Sequence, residues 1–234
     1  ETAAAPMTSG SIWKQMTFFA MPIFLGNLFQ QLYNTVDSLI VGNFLGSSAL
    51  AAVSSSGSLI FMLIGFLSGI SAGAGVIVAR FFGAGDEKNL QRAVHTTVAF
   101  GLVAGVLMTG VGVALSPQIL RWMDTPESVM RESVTYLQIY FAGSLGFVMY
   151  NVLVGILQAV GDSRHPLYYL IVSSVINLVL DLLFITGFHT GVGGAAVATV
   201  ISQIVSALLC FWQLLRTKES YGLKIRKIRF DKGI

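Results

Sequence analysis

Cysteine is nearly missing from the 234 residues: Cys210 stands alone, inside an apolar run. A lone thiol excludes a disulfide framework and a thiolate metal cluster. His95, His165 and His189 do not restore a metal site, because they lie far apart, at span ends and in loops, without ligand spacing. Charge is scarce as well. Asp, Glu, Lys and Arg make up 11% of the chain against 54% hydrophobic residues, a balance that excludes one or two soluble domains. A nucleotide loop is also lacking. Gly83-Ala-Gly-Asp86 and Gly161-Asp-Ser-Arg164 have no strand before them and no Gly-Lys-Ser/Thr after them, so no nucleotide or other cofactor is expected.

What is present is a recurring apolar run long enough to cross a bilayer. Six spans are predicted, at 17–40, 50–78, 93–115, 134–157, 168–186 and 192–215, giving an all-α membrane protein. Residues 1–6 read as a vector-derived leader ahead of Met7, 7–215 as the transmembrane unit and 216–234 as a basic connector. The pI of about 9.1 reports loops rather than a nucleic-acid partner. Lys14, Arg80, Lys88, Arg92, Arg164 and the tail from Arg216 fall on one side of the membrane. Only Arg121 and Arg131 fall on the other, among Asp124, Glu127 and Glu132. That asymmetry places both termini in the cytoplasm of a cell inner or plasma membrane protein.

Inside the spans there are two acids, Asp37 and Asp181. An intramembrane carboxylate is costly and marks a function by default. Asn177 shares a helix face with Asp181, and Ser173 extends that stripe by a turn. In the first span Asn27, Gln30, Asn34 and Asp37, spaced three, four and three apart, form a polar stripe flanked by Tyr33. It either glues helices together or faces a wet cavity, and Asp37 favours the cavity. Asp37, Asp181 and Thr199 all fall in the outer half of the membrane, so three spans agree on depth. With Asn177 they supply only oxygen ligands, which suits protons or hard monovalent cations and not soft metals. Gln30, Tyr33 and Asn34, with Asn151 on the fourth span, offer amides, an aromatic ring and negative charge to lipophilic cations. Pro22 removes a backbone donor fifteen residues before Asp37 and favours a bend in the first span. In the second span Gly57, Gly65, Gly69, Gly73 and Gly75 read as packing positions.

Five segments, in order, carry a family resemblance. They are Tyr33-Asn-Thr-Val-Asp37-Ser-Leu-Ile-Val-Gly42, Ala79-Arg-Phe-Phe-Gly-Ala-Gly-Asp86, Gln158-Ala-Val-Gly-Asp-Ser-Arg-His-Pro166, Asn177-Leu-Val-Leu-Asp181 and Gly193-Gly-Ala-Ala-Val-Ala-Thr199. Together they resemble the multidrug and toxic compound extrusion (MATE) transporters. The resemblance implies secondary active efflux of amphipathic or cationic drugs driven by H+ or Na+, and no enzyme. It assigns the cation site to Asp37, Asn177, Asp181 and Thr199, with the Ala195 carbonyl taking part in some members, and makes Pro22 the kinkable first-helix proline. The family has twelve helices in two lobes, whereas six are counted here. The chain therefore resembles the N-terminal lobe and the start of the connector, whether as a truncation, a fragment or a half-length protein that pairs with a second lobe. Alternating access needs two units rocking around a shared site, so a lone lobe should not transport. Three other readings compete. A lipid-linked precursor flippase would favour a basic cavity. An intramembrane aspartyl protease would need a Gly-x-Gly-Asp signature, which Asp181 lacks. A non-transporting partner lobe fits the half length.

Overall fold

Backbone polar groups have no water to bond within a bilayer, so an apolar chain satisfies them internally by forming helices. The structure, a computed structural model, describes residues 11–229 and 231, and it is helical throughout the spans. The predicted leader 1–6 lies outside the described residues, as do Phe230 and residues 232–234 of the predicted connector. The helices are α1 (Ile12–Leu45), α2 (Ser47–Gly83), α3 (Glu87–Trp122), α4 (Glu127–Ala142), α5 (Ser144–Ala159), α6 (Arg164–Leu182) and α7 (Gly191–Arg216). A π-helical turn, Leu183–Gly187, extends α6, and a 3-10 turn, Ile225–Lys227, lies in the connector.

The 37 residues of α2 measure about 55 Å, more than the ~30 Å hydrocarbon core, so such a helix tilts or projects beyond it. Ser47–Gly83, Glu87–Trp122, Arg164–Gly187 and Gly191–Arg216 are long and apolar enough to cross a membrane, and α4 with α5 qualifies as a bent pair. Here the expected count of six needs qualifying. α1 is as long as the others but lacks one continuous stretch as apolar as theirs, because Asn27, Gln30, Gln31, Asn34 and Asp37 interrupt it.

The fourth predicted span is not one helix. α4 and α5 meet at Gly143 with a 50° bend. A Gly-Ser pair is a common cause of a sharp kink. Gly143 is pressed against Val200 of α7, where a Cβ would have no room. Its N–H divides between the carbonyls of Ile139 and Tyr140, both at 3.2 Å, and Ser144 Oγ lies 2.9 Å from Thr109 Oγ1 of α3.

The main core gathers around α5, with Val148, Leu153, Ile156 and Leu157 packed against Val94 and Val98 of α3 and Cys210 and Leu214 of α7. α7 is the most enclosed of the four long apolar helices: half of its apolar window is buried, against 11% for α2. α1 sits at the margin, packed chiefly on α6 and more lightly on α2 and α7. A single residue, Gly46 at φ +89°, joins α1 to α2. The Asp86 side chain caps α3 by accepting from the Asn89 N–H at 3.1 Å and from Asn89 Nδ2 at 2.7 Å. Those bonds, the backbone one first, hold the Asp86 carboxyl below its ordinary range, so the cap persists at neutral pH and is lost in acid.

Close approach between α3 and α5 depends on Gly105, where a Cβ would lie 3.0 Å from the Leu145 Cα. Gly105→Ala is expected to lower stability by about 1–3 kcal/mol. Gly110 in the same helix faces open space, and Gly110→Ala should be neutral or slightly stabilising. Thermal unfolding of the two variants in detergent checks the contrast.

Candidate functional site

The face of α1 that turns inward is marked by Gln30, Tyr33 and Asp37, less exposed than their neighbours, followed by buried Ile40 and Val41. It lies against α6, whose buried stripe contains Ser173, Asn177 and Asp181. α7 closes the site with Ala195 and Thr199. Asp181 is 0% exposed and Asn177 1%.

The Asp37 and Asp181 carboxyls are direct neighbours. Neither oxygen of Asp181, nor Oδ1 of Asp37, meets an aligned donor among the described residues. Two ionised carboxylates offer only acceptors, so they cannot satisfy each other without a proton or a cation between them. The amide and hydroxyl beside them are already engaged. Asn177 Nδ2 donates to Thr199 Oγ1 at 3.4 Å, and Thr199 Oγ1 donates to the Ala195 carbonyl at 3.0 Å. The Tyr33 hydroxyl adjoins Thr199. Asp37, Asn177, Asp181, Thr199 and the Ala195 carbonyl therefore come together.

A groove of about 250 Å³ between α1 and α6 leads to the acids. Its walls are mostly apolar, with Phe29, Leu32 and Val36 on one side and Val175 and Leu178 on the other, while Tyr33, Ser174, Asn177 and both acids are its polar lining. The remaining predicted cavity residues are placed elsewhere. Gln30 shares the inward face but does not line this groove. Asn34 is exposed and donates to Gln31 Oε1 at 3.3 Å. Asn151 is on α5, where Nδ2 donates to the Phe147 carbonyl at 2.9 Å and its own carbonyl accepts from Ser71 Oγ at 2.7 Å. The first-span stripe thus divides: Gln30 and Asp37 turn toward α6, and Asn27 and Asn34 face outward. Pro22 lies inside an uninterrupted α1.

Sequence reasoning missed Tyr136 and Tyr140 of α4. Both are buried, and their rings stack with centroids 6.4 Å apart. Tyr136 is within electrostatic reach of Asp37, Asp181 and Tyr33. The available signal was two tyrosines four residues apart in an apolar span. A second missed feature is the π-helical turn that begins two residues after Asp181. Such turns are frequent at functional sites.

The MatE family profile matches residues 22–183. The chain belongs to the MATE family. That membership identifies a transporter family, not an enzyme, and agrees with the all-helical membrane fold. Among curated relatives, the MATE chain is 35% identical to the probable multidrug resistance protein YoeA of Bacillus subtilis strain 168, covering 100% of this chain and 51% of that one. It is 34% identical to the probable multidrug resistance protein YpnP of the same strain, covering 92% and 48%. A crystal structure of MATE in the bent conformation superposes with a TM-score of 0.88 at 27% identity, covering 96% of this chain and 50% of that one. One in the straight conformation gives 0.87 at 26%, covering 100% and 52%. The chain spans about half the length of the relatives it matches.

Thr199 links α6 to α7 through one hydroxyl. Thr199→Val keeps the shape but strands the Asn177 amide, at an expected cost of about 1–3 kcal/mol. Thr199→Ser keeps the hydroxyl and should cost less. Thermal unfolding of both variants tests the assignment.

Proposed function

We propose that this chain forms the N-terminal lobe of a secondary active multidrug antiporter, in which Asp37 and Asp181 bind the coupling ion. The observation that carries the reading is buried Asp181 beside half-buried Asp37, with both oxygens of Asp181 and Oδ1 of Asp37 meeting no aligned donor among the described residues. A group that both acids can accept from, a proton or a small cation, completes it. Asn177, Thr199 and the Ala195 carbonyl hold the acids' surroundings in place and add oxygen ligands. The set fits Na+ by donor type. H+ is preferred, since Asn177 and Thr199 are already bonded to each other and the groove walls are apolar. As interacting groups, the two acids titrate as a pair.

Six spans, with α4 and α5 counted as one bent span and α1 as the sixth, make up one lobe of a twelve-helix transporter. A second six-helix lobe, the C-terminal half of the same polypeptide or another copy, completes the cleft. The half-length coverage of the relatives supports this. The loop charges put both termini in the cytoplasm. Amphipathic or cationic drugs are the expected cargo, drawn to the acids and held by Tyr33 and the groove walls. Gln30, outward-facing Asn34 and Asn151 lie outside this groove and are assigned to the wider cleft that the second lobe completes. The acids disfavour the lipid-linked precursor flippase.

Coupling follows from where the acids sit. Asp181 is fixed in the packed α6–α7 pair, whereas Asp37 rides on marginal α1. Loading a proton removes the repulsion between the carboxylates and lets them approach. At Pro22 the helix lacks one backbone bond, so a change of bend there costs less than elsewhere. Protonation then bends α1, narrows the groove and expels the drug. Bent and straight conformations solved for MATE proteins support a fold with two shapes.

In membrane vesicles holding this lobe together with its second lobe, Asp37→Asn and Asp181→Asn are each expected to reduce coupled efflux of a lipophilic cation to background while the protein stays inserted and folded. Wild-type efflux at equal expression in either variant would refute the site. Imposing pH and Na+ gradients separately identifies the ion. Transport that follows the pH gradient at fixed Na+ is expected, and dependence on Na+ at fixed pH would overturn the preference for H+. Pro22→Ala should slow turnover more than it weakens drug binding.

A further inference from the structure

The connector after α7 is fastened to the rest of the molecule. Gln91, Arg92, His95 and Thr96 lie on one face of the first turns of α3. Gln91 Nε2 donates to the carbonyls of Ser220 at 2.5 Å and Gly222 at 3.0 Å. His95 Nε2 accepts the Lys224 N–H at 3.0 Å. The Arg92 guanidinium grips both carboxylate oxygens of Asp231 at 2.5 and 2.6 Å, and the Asp231 N–H donates to Thr96 Oγ1 at 3.3 Å. Tyr221 and Leu223 are buried in the main core. A segment that composition alone would leave in solvent is held as a strap.

Its depth is fixed as well. The Leu223 N–H donates to the Leu214 carbonyl at 2.8 Å, so the strap starts level with the last turn of α7. In that turn Trp212 is half exposed and the Arg216 guanidinium sits 5.0 Å above its ring. Tryptophan paired with a cation at the end of an apolar helix marks a membrane–water boundary. The strap therefore runs at headgroup level.

What it presents there is one sign of charge. Lys224, Arg226, Lys227 and Arg229 are all exposed, and Ile225, 61% exposed, stands among them. The acid in residues 220–231, Asp231, is committed to Arg92. Four cations on a held backbone, with an apolar side chain projecting between them, complement an anionic surface that has apolar material behind it.

We propose that residues 224–229 form a binding surface for anionic phospholipid headgroups, of the phosphatidylglycerol type, in the leaflet on this side of the membrane. The surface owes nothing to the acid pair. It anchors the ends of α3 and α7 to the leaflet while α1 stays free to move.

The protein is reconstituted in phosphatidylcholine bilayers containing a minor fraction of phosphatidylglycerol, and the lipid that stays with it on extraction is counted by native mass spectrometry. Wild type is expected to retain phosphatidylglycerol over phosphatidylcholine. The K224Q/R226Q/K227Q/R229Q variant leaves every docking residue intact and should lose that retention by about tenfold or more at low salt, the difference shrinking as salt rises. A control, R121Q/R131Q at the opposite membrane face, should retain phosphatidylglycerol like wild type. Equal retention by the quadruple variant, equal loss in the control, no preference over phosphatidylcholine, or displacement by inorganic phosphate would each overturn the proposal. The last would point to a free-phosphate site. Unchanged unfolding temperatures in phosphatidylcholine alone, the expected result, exclude loss of the strap as the cause.

Discussion

Two carboxyl groups facing each other in an apolar interior are the constraint around which this lobe is arranged. A buried acceptor without a donor is costly, and two in contact are more so unless a proton or cation joins them. The chain supports this with a packed frame. Asp181 is embedded between α6 and α7, which Asn177, Thr199 and the Ala195 carbonyl bind together across the helix pair. The tyrosine pair on α4 closes the site beside Tyr33. The arrangement gives one acid a fixed position and leaves the other on a helix at the edge of the bundle.

The asymmetry between the acids has a packing origin. α7 and α5 share the core, and α6 leans on α7, so Asp181 cannot shift without disturbing the interior. α1 lacks that enclosure. Its outer residues, among them Phe18, Phe24 and Leu28, are exposed, as expected of side chains meeting hydrocarbon or a second lobe. Its polar residues also break up the long apolar stretch that the other long helices keep. A helix with modest burial and a proline is suited to moving. On the other side of the bundle the connector is tied to α3, which leaves α1 the less anchored element.

Much of this was legible in the sequence. The helices read clearly because apolar length is a strong signal in a chain with so little charge. The Asp37–Asp181 neighbourhood was legible because the loop order gives the direction of each span and the position in the span gives the depth. The break at Gly143 was not, because a Gly-Ser pair reads equally well as packing until Val200 is seen against it. The division of the α1 stripe was hidden too. Asn27 and Asn34 are seven residues apart, as are Gln30 and Asp37, and the two pairs sit on adjacent edges of one arc, of which α6 covers only one. Tyr136 was missed because nothing in an apolar helix says which face meets a distant site. The family resemblance added the role of Ala195, which no side-chain pattern could supply.

Asp37 and Asp181 are proposed to act as one binding unit for the coupling ion, H+. The most direct measurement is proton release when a lipophilic cation such as tetraphenylphosphonium binds the purified protein in weakly buffered solution. Wild type is expected to release protons on binding, and both Asp37→Asn and Asp181→Asn to release none. Undiminished release in either variant, or intact cation binding by wild type without any proton release, would contradict it.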